Sequence, residues 1–313
     1  MRRNCTGQIA SKTSKSVAAY GRRYRNLRLM AEREERAGGD IADVVAWFRS
    51  QNGRWKASTV RQYRSAIWHE LDGTEMLSDL RAGLEMRLAA GPKPVDGGPK
   101  RTSSRKRKSL SVAELMKLDQ HLKTSKGRYD RLLRCFLGFG VALFLRPVEY
   151  LSASVEGTIL VVENAKATNG RANGKYRSRD ISAMGADGIA NLELFLRRIR
   201  KATAQAGGWE SLHGRLASRL ARVCKAVGVD RVSLYTLRHV GIASAKTWLE
   251  PYEVAAAAGH GSVRTATTHY AKSRTGWRGL RLAGKPLAES VDNVRGTFKR
   301  FQPTAREPVA FMG

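Results

Sequence analysis

A proline- and glycine-rich stretch after the first 90 residues constrains the fold most. Residues 91–109 read GPKPVDGGPKRTSSRKRKS, with three prolines and three glycines. Proline fixes φ and lacks an N–H, and glycine adds backbone freedom, so no regular element can run through this stretch. A chain of 313 residues is also long enough to build two cores of ordinary size. The sequence therefore predicts two domains joined by a linker over 91–109.

The charge balance indicates a polyanionic partner. Lys and Arg number 57 against 27 Asp and Glu, a formal net charge of +30. The positive charge runs through the whole chain, which favours a nucleic acid; an anionic membrane surface and a basic protein without an acidic partner are the alternatives. The end of the linker is the most basic run, and it either lies along DNA phosphates or is merely solvated. Its candidate DNA-binding residues are Arg101, Arg105, Lys106, Arg107 and Lys108.

The cysteines and the apolar runs predict the compartment. Cys5, Cys135 and Cys224 are odd in number and widely spaced, so they indicate neither a disulfide framework nor a zinc site and fit a reducing environment. The basic, polar N-terminus does not read as a secretory signal. The longest apolar run, 135–145, has eleven residues, short of the roughly 20 that span a bilayer. We expect a cytoplasmic, nucleoid-associated protein without a membrane partner.

Hydrophobic periodicity predicts helices before the linker. Ile41, Val44, Val45 and Phe48 recur at i, i+3, i+4 and i+7, which marks one helical face. Similar faces follow between 60 and 71 and between 76 and 88. The prediction is a basic arm over 1–15 and an all-helical domain over 16–90. Its outer Arg and Lys residues either grip a DNA backbone or are solvated.

After the linker, helices alternate with a short hairpin. Ser111 and Glu114 form a capping box that opens a helix. The apolar run 132–145 reads as a buried helix that ends before Pro147, because proline disfavours helix at the preceding residue. A β-branched run over 158–162 and a polar run over 175–181 flank a Gly/Asn-rich turn and predict a β-hairpin.

The predicted fold class is mainly α with a small antiparallel β-sheet, the sheet lying in a mixed α/β domain over 110–280. Helices resume near 186 and 212. Beyond a Gly/Pro break at 284–286, the tail over 281–313 contains a short amphipathic pattern that we do not expect to join the main core. It is a candidate oligomerisation helix.

Five residues that suit phosphodiester chemistry lie within one short span, from Leu234 to Tyr270. They are Arg238, His239, His260, His269 and Tyr270. Arginine recognises phosphate through a planar fork, histidine relays protons near neutral pH, and a tyrosine hydroxyl is a nucleophile once it is activated.

Two further candidates precede this span. Arg146 follows the apolar helix and is either a buried charge paired with Glu149 or an anion ligand held by that pairing. Lys166 lies in the predicted hairpin, where Lys175 is its competitor.

The order of these residues resembles the catalytic pattern of the tyrosine recombinases, the phage-integrase family. Arg146 with Glu149, then Lys166, Arg238-His239, Gly259-His260 and Tyr270 follow one another over residues 110–275. The N-terminal helices and the basic linker resemble that family's core-binding domain and interdomain connector. Each motif alone is unspecific, whereas the ordered set is specific.

The resemblance implies a role for each residue. Arg146 is the first catalytic arginine with Glu149 as its supporting acid, Lys166 is the general acid of the hairpin, Arg238 is the second arginine, His239 is structural, His260 is the second histidine position, and Tyr270 is the nucleophile. It implies no metal and no cofactor.

This chain departs from the family at two points. Tyr235 stands in YTLR where the family has histidine in HxxR, and a phenol is a poor base at neutral pH. The general base is therefore left open between His260 and water. Tyr270 follows His260 by ten residues where nine is commoner, and His269 occupies the ninth. The ordinary alternatives are an interface aromatic for Tyr270, a helix cap for His260 and a core tyrosine for Tyr235.

The resemblance predicts a site-specific DNA recombinase, the integrase of a mobile element. Such an enzyme cuts duplex DNA through a 3′-phosphotyrosine, rejoins it without ATP, and works as a homotetramer on DNA with accessory DNA-bending proteins. Two alternatives remain: a type IB topoisomerase-like DNA relaxing enzyme, and a DNA-binding protein that has lost catalysis, for which Tyr235 is the main support.

Overall fold

The computed structural model describes residues 14–35, 40–95, 107–167, 172–280 and 284–296. The chain divides into two compact units, Met1–Ser104 and Arg105–Gly313. This division falls inside the predicted linker over 91–109, much of which lies outside the described residues, as does most of the predicted arm. The DNA-binding roles of the arm, the linker and the N-terminal domain remain predictions.

The described part of the N-terminal unit is entirely helical. Its helices are α1 (Ser14–Glu35), α2 (Ile41–Ser50), α3 (Ala57–Gly73) and α4 (Ser78–Ala90). Asp40 caps α2, since its carboxylate accepts a hydrogen bond from the Asp43 N–H at 2.7 Å. Helix α1 packs against α3, and α2 against α4. The face predicted from periodicity is the buried one, with Val44, Val45 and Phe48 in the core.

The described part of the C-terminal unit contains eight α-helices. They are α5 (Val112–Thr124), α6 (Asp130–Leu143), α7 (Gly185–Gln205), α8 (Trp209–Ala226), α9 (Leu234–Ala245), α10 (Pro251–Ala257), α11 (Val263–His269) and α12 (Ala288–Asp292). The predicted capping box opens α5: the Ser111 hydroxyl accepts from the Glu114 N–H, and the Glu114 carboxylate accepts from the Ser111 N–H at 2.9 Å. Among the helices that the structure describes, none has both the length and the apolar character to cross a membrane.

One small antiparallel sheet completes this unit and confirms the predicted fold class. Its strands are β1 (Ser154–Glu156), β2 (Ile159–Glu163) and β3 (Tyr176–Asp180), in the order β1-β2-β3. Strands β2 and β3 form the predicted hairpin, whereas β1 was not predicted. The register pairs Leu160 with Arg179 and Val162 with Arg177, and all four side chains are buried. Two arginines thus share the inner face of the sheet with the apolar core.

The contact between α6 and α9 sets the backbone of the site. A Cβ added at Gly241 of α9 would lie 2.6 Å from the Phe144 Cβ, so glycine permits the close approach. The apolar helix ends at Leu143, two residues before the predicted end, because Phe144 adopts a left-handed conformation with φ 42°. The carbonyls of Leu143 and Phe144 accept hydrogen bonds from Arg179 and Arg238, each at 2.6 Å.

The described residues of the tail, 284–296, pack on the C-terminal unit but do not belong to its main core cluster. The Ser290 hydroxyl accepts a hydrogen bond from the Ser178 N–H at 2.9 Å, which fixes α12 to β3. Val294 is buried in a small cluster with α10 and α11. Val291 and Val294 belong to the predicted amphipathic pattern, but their partners on α10 and α11 lie elsewhere in the chain, which is why this packing was not predicted. Phe298 and Phe301, the rest of the amphipathic pattern, lie outside the described residues.

Candidate active site

Arg238 lies at the centre of the site, on the second turn of α9, and is completely buried. Its two terminal nitrogens donate to the carbonyls of Phe144 at 2.6 Å and Ala258 at 2.7 Å, and its Nε donates to the Tyr270 hydroxyl at 3.0 Å. Burial alone would lower the pKa of Arg238, but the negative charges available on Tyr270 and Glu149 raise it. The guanidinium is therefore a fixed positive charge beside a tyrosine oxygen.

Arg146 is held beside this centre by Glu149. Arg146 precedes a single 3-10 turn, Pro147–Leu151, and Glu149 accepts from the Arg146 N–H at 2.8 Å and from its guanidinium at 2.6 Å. This is the pairing predicted from the sequence. The Arg146 Nε is buried without a hydrogen-bond partner. A buried guanidinium with one unused donor is a suitable ligand for an anionic oxygen.

Three guanidinium groups surround the single carboxylate of Glu149, which is almost fully buried. They belong to Arg177 at 2.8 Å, Arg146 at 2.6 Å and Arg238 at 3.9 Å. Burial alone would raise the pKa of Glu149, but the three positive charges outweigh burial and hold the pKa well below its usual range. Glu149 is therefore ionised at any working pH.

The hydroxyl groups of Tyr270 and Tyr235 meet beside the Arg238 Nε. Tyr270 directly follows α11, and its hydroxyl oxygen lies 3.1 Å from that of Tyr235. Burial alone would raise the pKa of Tyr270, but the Arg238 charge and the Tyr235 hydrogen bond lower it below the value of a free phenol. Burial raises the pKa of Tyr235, and the negative charge of Tyr270 raises it further. Either hydroxyl can donate while both are protonated, and once Tyr270 ionises its oxygen can only accept from Tyr235.

The structure distinguishes Tyr270 from its neighbour His269 in the chain. His269 is the last residue of α11 and is exposed, whereas Tyr270 is half-buried and reaches Arg238. Residues 261–269, a short loop followed by α11, join His260 to Tyr270. The tenth position, not the ninth, therefore places its side chain in the site.

Two neutral imidazoles pack against Tyr270. The ring centroids of His239 and His260 lie 4.8 Å and 5.0 Å from that of Tyr270. Burial lowers the pKa of His239 to about 4, and burial followed by the Arg238 charge lowers the pKa of His260 even further. The His260 Nε2 lies 3.0 Å from an Arg238 terminal nitrogen and accepts from it, which leaves the proton on Nδ1. With its lone pair already engaged, His260 is a poor base for Tyr270 in this state.

The two hairpin lysines, Lys166 and Lys175, have different surroundings in the structure. Lys166 lies in the turn after β2, and the N–H of Ala165 next to it donates to Glu149 at 3.2 Å. Lys175 precedes β3 and places its Nζ 5.0 Å from the centroid of the Tyr176 ring. Both side chains are exposed. The backbone contact with Glu149 favours Lys166 as the residue of the site.

The predicted basic run is only partly described. Arg101, Arg105 and Lys106 lie outside the described residues. One terminal nitrogen of Arg107 donates to both carboxylate oxygens of Glu114, at 2.6 Å and 2.7 Å, and this hydrogen bonding is the main cause that lowers the pKa of Glu114 to about 2. Lys108 reaches the His269 carbonyl at 3.5 Å. The Arg107 guanidinium thus binds its own chain in this structure.

Two buried residues, Arg177 and Asn164, and the half-buried Lys246 contact the site without having been predicted. Arginines at alternate positions of a strand usually face water, so the YRSRD sequence of β3 gave no sign of burial. The Lys246 ammonium donates to the carbonyls of Ala266 and Ala271, both at 2.8 Å. These carbonyls lie on either side of Tyr270 in the chain, so Lys246 joins the end of α9 to the segment that carries Tyr270.

Comparisons with known proteins give structural matches only. No protein-family model matches the chain, and no curated protein matches it. The structure is similar to XerH site-specific recombinase bound to its difH substrate, with 16% identity, a TM-score of 0.48, and 79% of this chain and 73% of that chain covered. It is similar to lambda integrase in a tetramer bound to a Holliday junction, with 15% identity, a TM-score of 0.49, and 83% and 73% covered. XerA recombinase matches with 13% identity, a TM-score of 0.40, and 83% and 95% covered.

These three proteins are tyrosine recombinases, the family that the sequence motifs resemble. The identities are low and the TM-scores are modest. The role of each residue therefore has to come from its own geometry in this chain.

Proposed function

We propose that this protein is a site-specific DNA recombinase that cuts and rejoins duplex DNA through Tyr270. The observation that carries the proposal is the contact of the Tyr270 hydroxyl with the Arg238 Nε at 3.0 Å, beside an Arg146 that keeps an unused buried donor. A nucleophilic oxygen next to fixed positive charge suits attack on a phosphodiester, whose transition state gains negative charge. The net charge of +30 supports DNA as the substrate.

Cleavage begins when Tyr270 ionises and its proton passes to water. Its oxygen attacks phosphorus while the bond to the 5′-oxygen breaks, which leaves a 3′-phosphotyrosine. Arg146 and Arg238 neutralise the phosphoryl charge. Lys166 donates a proton to the leaving 5′-oxygen, which departs as a hydroxyl. One phosphoester replaces another, so no nucleotide hydrolysis is required.

Rejoining runs through the same residues in reverse. A 5′-hydroxyl, from the same or a partner strand, loses its proton to Lys166 and attacks the phosphotyrosine. Tyr270 leaves as a phenolate, which the Arg238 charge and the Tyr235 hydroxyl stabilise. Exchange between two duplexes needs four strands to be cut, so we propose a homotetramer on DNA with two sites active at a time. The integrase of a mobile element, helped by DNA-bending proteins, is the proposed setting.

Trapping the covalent intermediate tests the proposal directly. Duplex DNA from beside the protein's own gene is incubated with the full chain, and adducts are separated on a denaturing gel. We expect a protein–DNA adduct that Tyr270→Phe abolishes, because that variant lacks the nucleophilic oxygen. His269→Ala is the matched control, since this exposed neighbour lies outside the site, and it should keep the adduct.

Other outcomes point to different activities. An adduct that survives in Tyr270→Phe and is lost in Tyr235→Phe would make Tyr235 the nucleophile. Relaxation of supercoiled DNA by a monomer without a preferred site would favour a topoisomerase-like enzyme. Tight binding to DNA that covers the whole flanking region, without any adduct, would contradict catalysis and leave a DNA-binding protein.

A further inference from the structure

Arg177 occupies an unusual position for a charged side chain. It is the second residue of β3 and lies on the inner face of the sheet, opposite Val162, and only 3% of it is exposed. Its guanidinium donates to the Glu149 carboxylate at 2.8 Å, to the Ala257 carbonyl at 3.2 Å, and to the Asn164 side-chain oxygen. Burying a guanidinium is costly unless all of its donors are matched. Here its three donor groups contact three different segments.

Each of these segments belongs to the proposed site. Glu149 holds Arg146, Asn164 lies two residues before Lys166, and Ala257 ends α10, shortly before His260. Arg177 therefore connects Arg146, the turn that carries Lys166 and the loop before His260 through one buried guanidinium. The mechanism proposed above assigns it no role.

Glu149 and Asn164 carry the connection into the lysine turn. One Glu149 oxygen accepts from the Ala165 N–H at 3.2 Å and from the Arg146 guanidinium at 2.6 Å, while the other accepts from Arg177. The Asn164 amide nitrogen donates to the Gly174 carbonyl at 3.0 Å, across the same turn. The backbone that carries Lys166 is thus tied on one side to the residue that orients Arg146.

The loop before His260 packs against the same Arg177 guanidinium. Gly259 has φ +66°, and a Cβ added there would lie 2.6 Å from an Arg177 terminal nitrogen. The loop before His260 consequently packs directly on the Arg177 and Asn164 side chains, and a side chain at 259 would push them apart.

We propose that Arg177 is a positioning residue that, through Glu149 and Asn164, holds the Lys166 turn beside Arg146 and so governs proton transfer to the leaving 5′-oxygen. The inference deepens the proposed function and rests on it. An arginine that only filled the core would affect every step of the reaction, whereas this role is specific to the step that Lys166 performs.

A change of leaving group separates these two roles. A duplex with sulfur in place of the bridging 5′-oxygen at the cleavage site expels a thiolate, whose conjugate acid has a pKa near 8.5, so departure needs no proton donor. On the oxygen substrate, the rate of adduct formation by Lys166→Ala should be roughly 10²- to 10⁴-fold lower than that of wild type, which is the range for loss of a general acid. On the sulfur substrate it should return to within about tenfold of wild type.

Arg177→Met and Arg177→Lys should follow the same pattern as Lys166→Ala. Lysine keeps the charge but lacks the fork that serves Glu149, Asn164 and Ala257 together. Arg179→Met is the matched control: Arg179 is equally buried two residues along β3, but it donates to Leu143 and stacks on Phe144, not on Glu149. Any loss in Arg179→Met should be the same on both substrates.

Two results would overturn the inference, and they are distinguishable. If sulfur rescues Lys166→Ala but neither Arg177 variant, Arg177 does not act through Lys166. If sulfur rescues none of them, Lys166 is not the general acid, and the proposed mechanism fails together with the inference. Should Arg177→Met not fold, Arg177→Lys and Asn164→Ala carry the same comparison.

Discussion

The hydroxyl oxygens of Tyr235 and Tyr270 lie 3.1 Å apart, and the Arg238 Nε lies 3.0 Å from the second of them. Tyr235 stands where the resembled family has histidine, yet its hydroxyl contacts the proposed nucleophile. Once Tyr270 ionises, its oxygen can only accept, and Arg238 and Tyr235 can then both donate to it, which favours the ionised form. A second tyrosine at this position thus supports the ionisation of Tyr270 without acting as its base.

Replacing Tyr235 with phenylalanine should move the pH dependence of cleavage to higher pH. The hydrogen bond lowers the pKa of Tyr270, so its loss raises that pKa and reduces the phenolate fraction at a given pH. A net hydrogen bond of about 0.5–1.5 kcal/mol corresponds to a loss of roughly 2- to 10-fold at neutral pH. The measurement is the rate of adduct formation from pH 6 to 10.

The matched control for this change is Tyr176→Phe, which removes a hydroxyl from an exposed tyrosine on β3. Its pH profile should coincide with that of wild type. A Tyr235→Phe profile with an unchanged midpoint and a uniformly lower rate would show that Tyr235 acts on another step.

Lys246→Met should loosen the segment that carries Tyr270. The substitution keeps an unbranched side chain, shorter by its terminal nitrogen, and leaves the carbonyls of Ala266 and Ala271 without their donor, at a cost of about 1–3 kcal/mol. We expect faster hydrogen exchange of the amides over 266–271, slower cleavage, and unchanged exchange in α6. Lys272→Met, an exposed lysine of the same segment, should change neither. Equal hydrogen-exchange rates over 266–271 in the two variants would show that Lys246 does not hold this segment in place.

The sequence predicted those features of the site that are local along the chain. The pair of Arg146 and Glu149 lies at i and i+3, and the structure has it as predicted. The order of the apolar positions predicted the helices of the N-terminal unit, because each face repeats over several turns. Strand β1 was missed because three residues are too few to show alternation.

The contacts between distant segments could not be predicted from the sequence. Nothing in the sequence of β3 distinguishes Arg177 from a solvated arginine, because its partner Glu149 lies 28 residues away. The family resemblance predicted Tyr270 as the nucleophile, but periodicity alone does not separate it from His269, because the difference depends on where α11 ends. Such choices are made by the tertiary fold.

Asp130→Asn should destabilise the C-terminal unit and make its free energy of unfolding depend less on pH in the acid range. The hydrogen bond and charge of Arg219 lower the pKa of Asp130 from 3.8 to about 2. The folded-state pKa lies below the unfolded value, so the stabilisation, about 2 kcal/mol, is complete above pH 4 and is lost as pH falls towards 2. Chemical denaturation at pH 7 and pH 3 measures the difference.

Asp119→Asn is the control for this prediction, because Asp119 pairs with Arg134 on the surface, where ion pairs contribute little. We expect a smaller loss at pH 7 than for Asp130→Asn. Equal losses, or a deficit in Asp130→Asn that does not shrink at low pH, would contradict the assignment.

Two truncations should separate the packed part of the C-terminal segment from the rest. Deleting 287–313 removes Ser290 and Val294 from the core and should cost about 2–4 kcal/mol of unfolding free energy. Deleting only 297–313 should lower the cooperativity of DNA binding, because these residues belong to the tail that we propose contacts a neighbouring subunit. Unchanged cooperativity in the shorter deletion would end the proposal of an oligomerisation segment.

Tyr270 should act in cis, on the phosphate bound by its own chain. Its hydroxyl lies 3.0 Å from the Arg238 Nε of the same chain, and Lys246 fixes the backbone on both sides of it. A mixture of Tyr270→Phe and Arg238→Lys should therefore give no adduct, because no single chain carries both residues. If Tyr270 were donated to a neighbour, the mixture would regain up to about a quarter of the wild-type adduct by random pairing. Wild type mixed with either variant controls for assembly, since it must keep activity in proportion to its share.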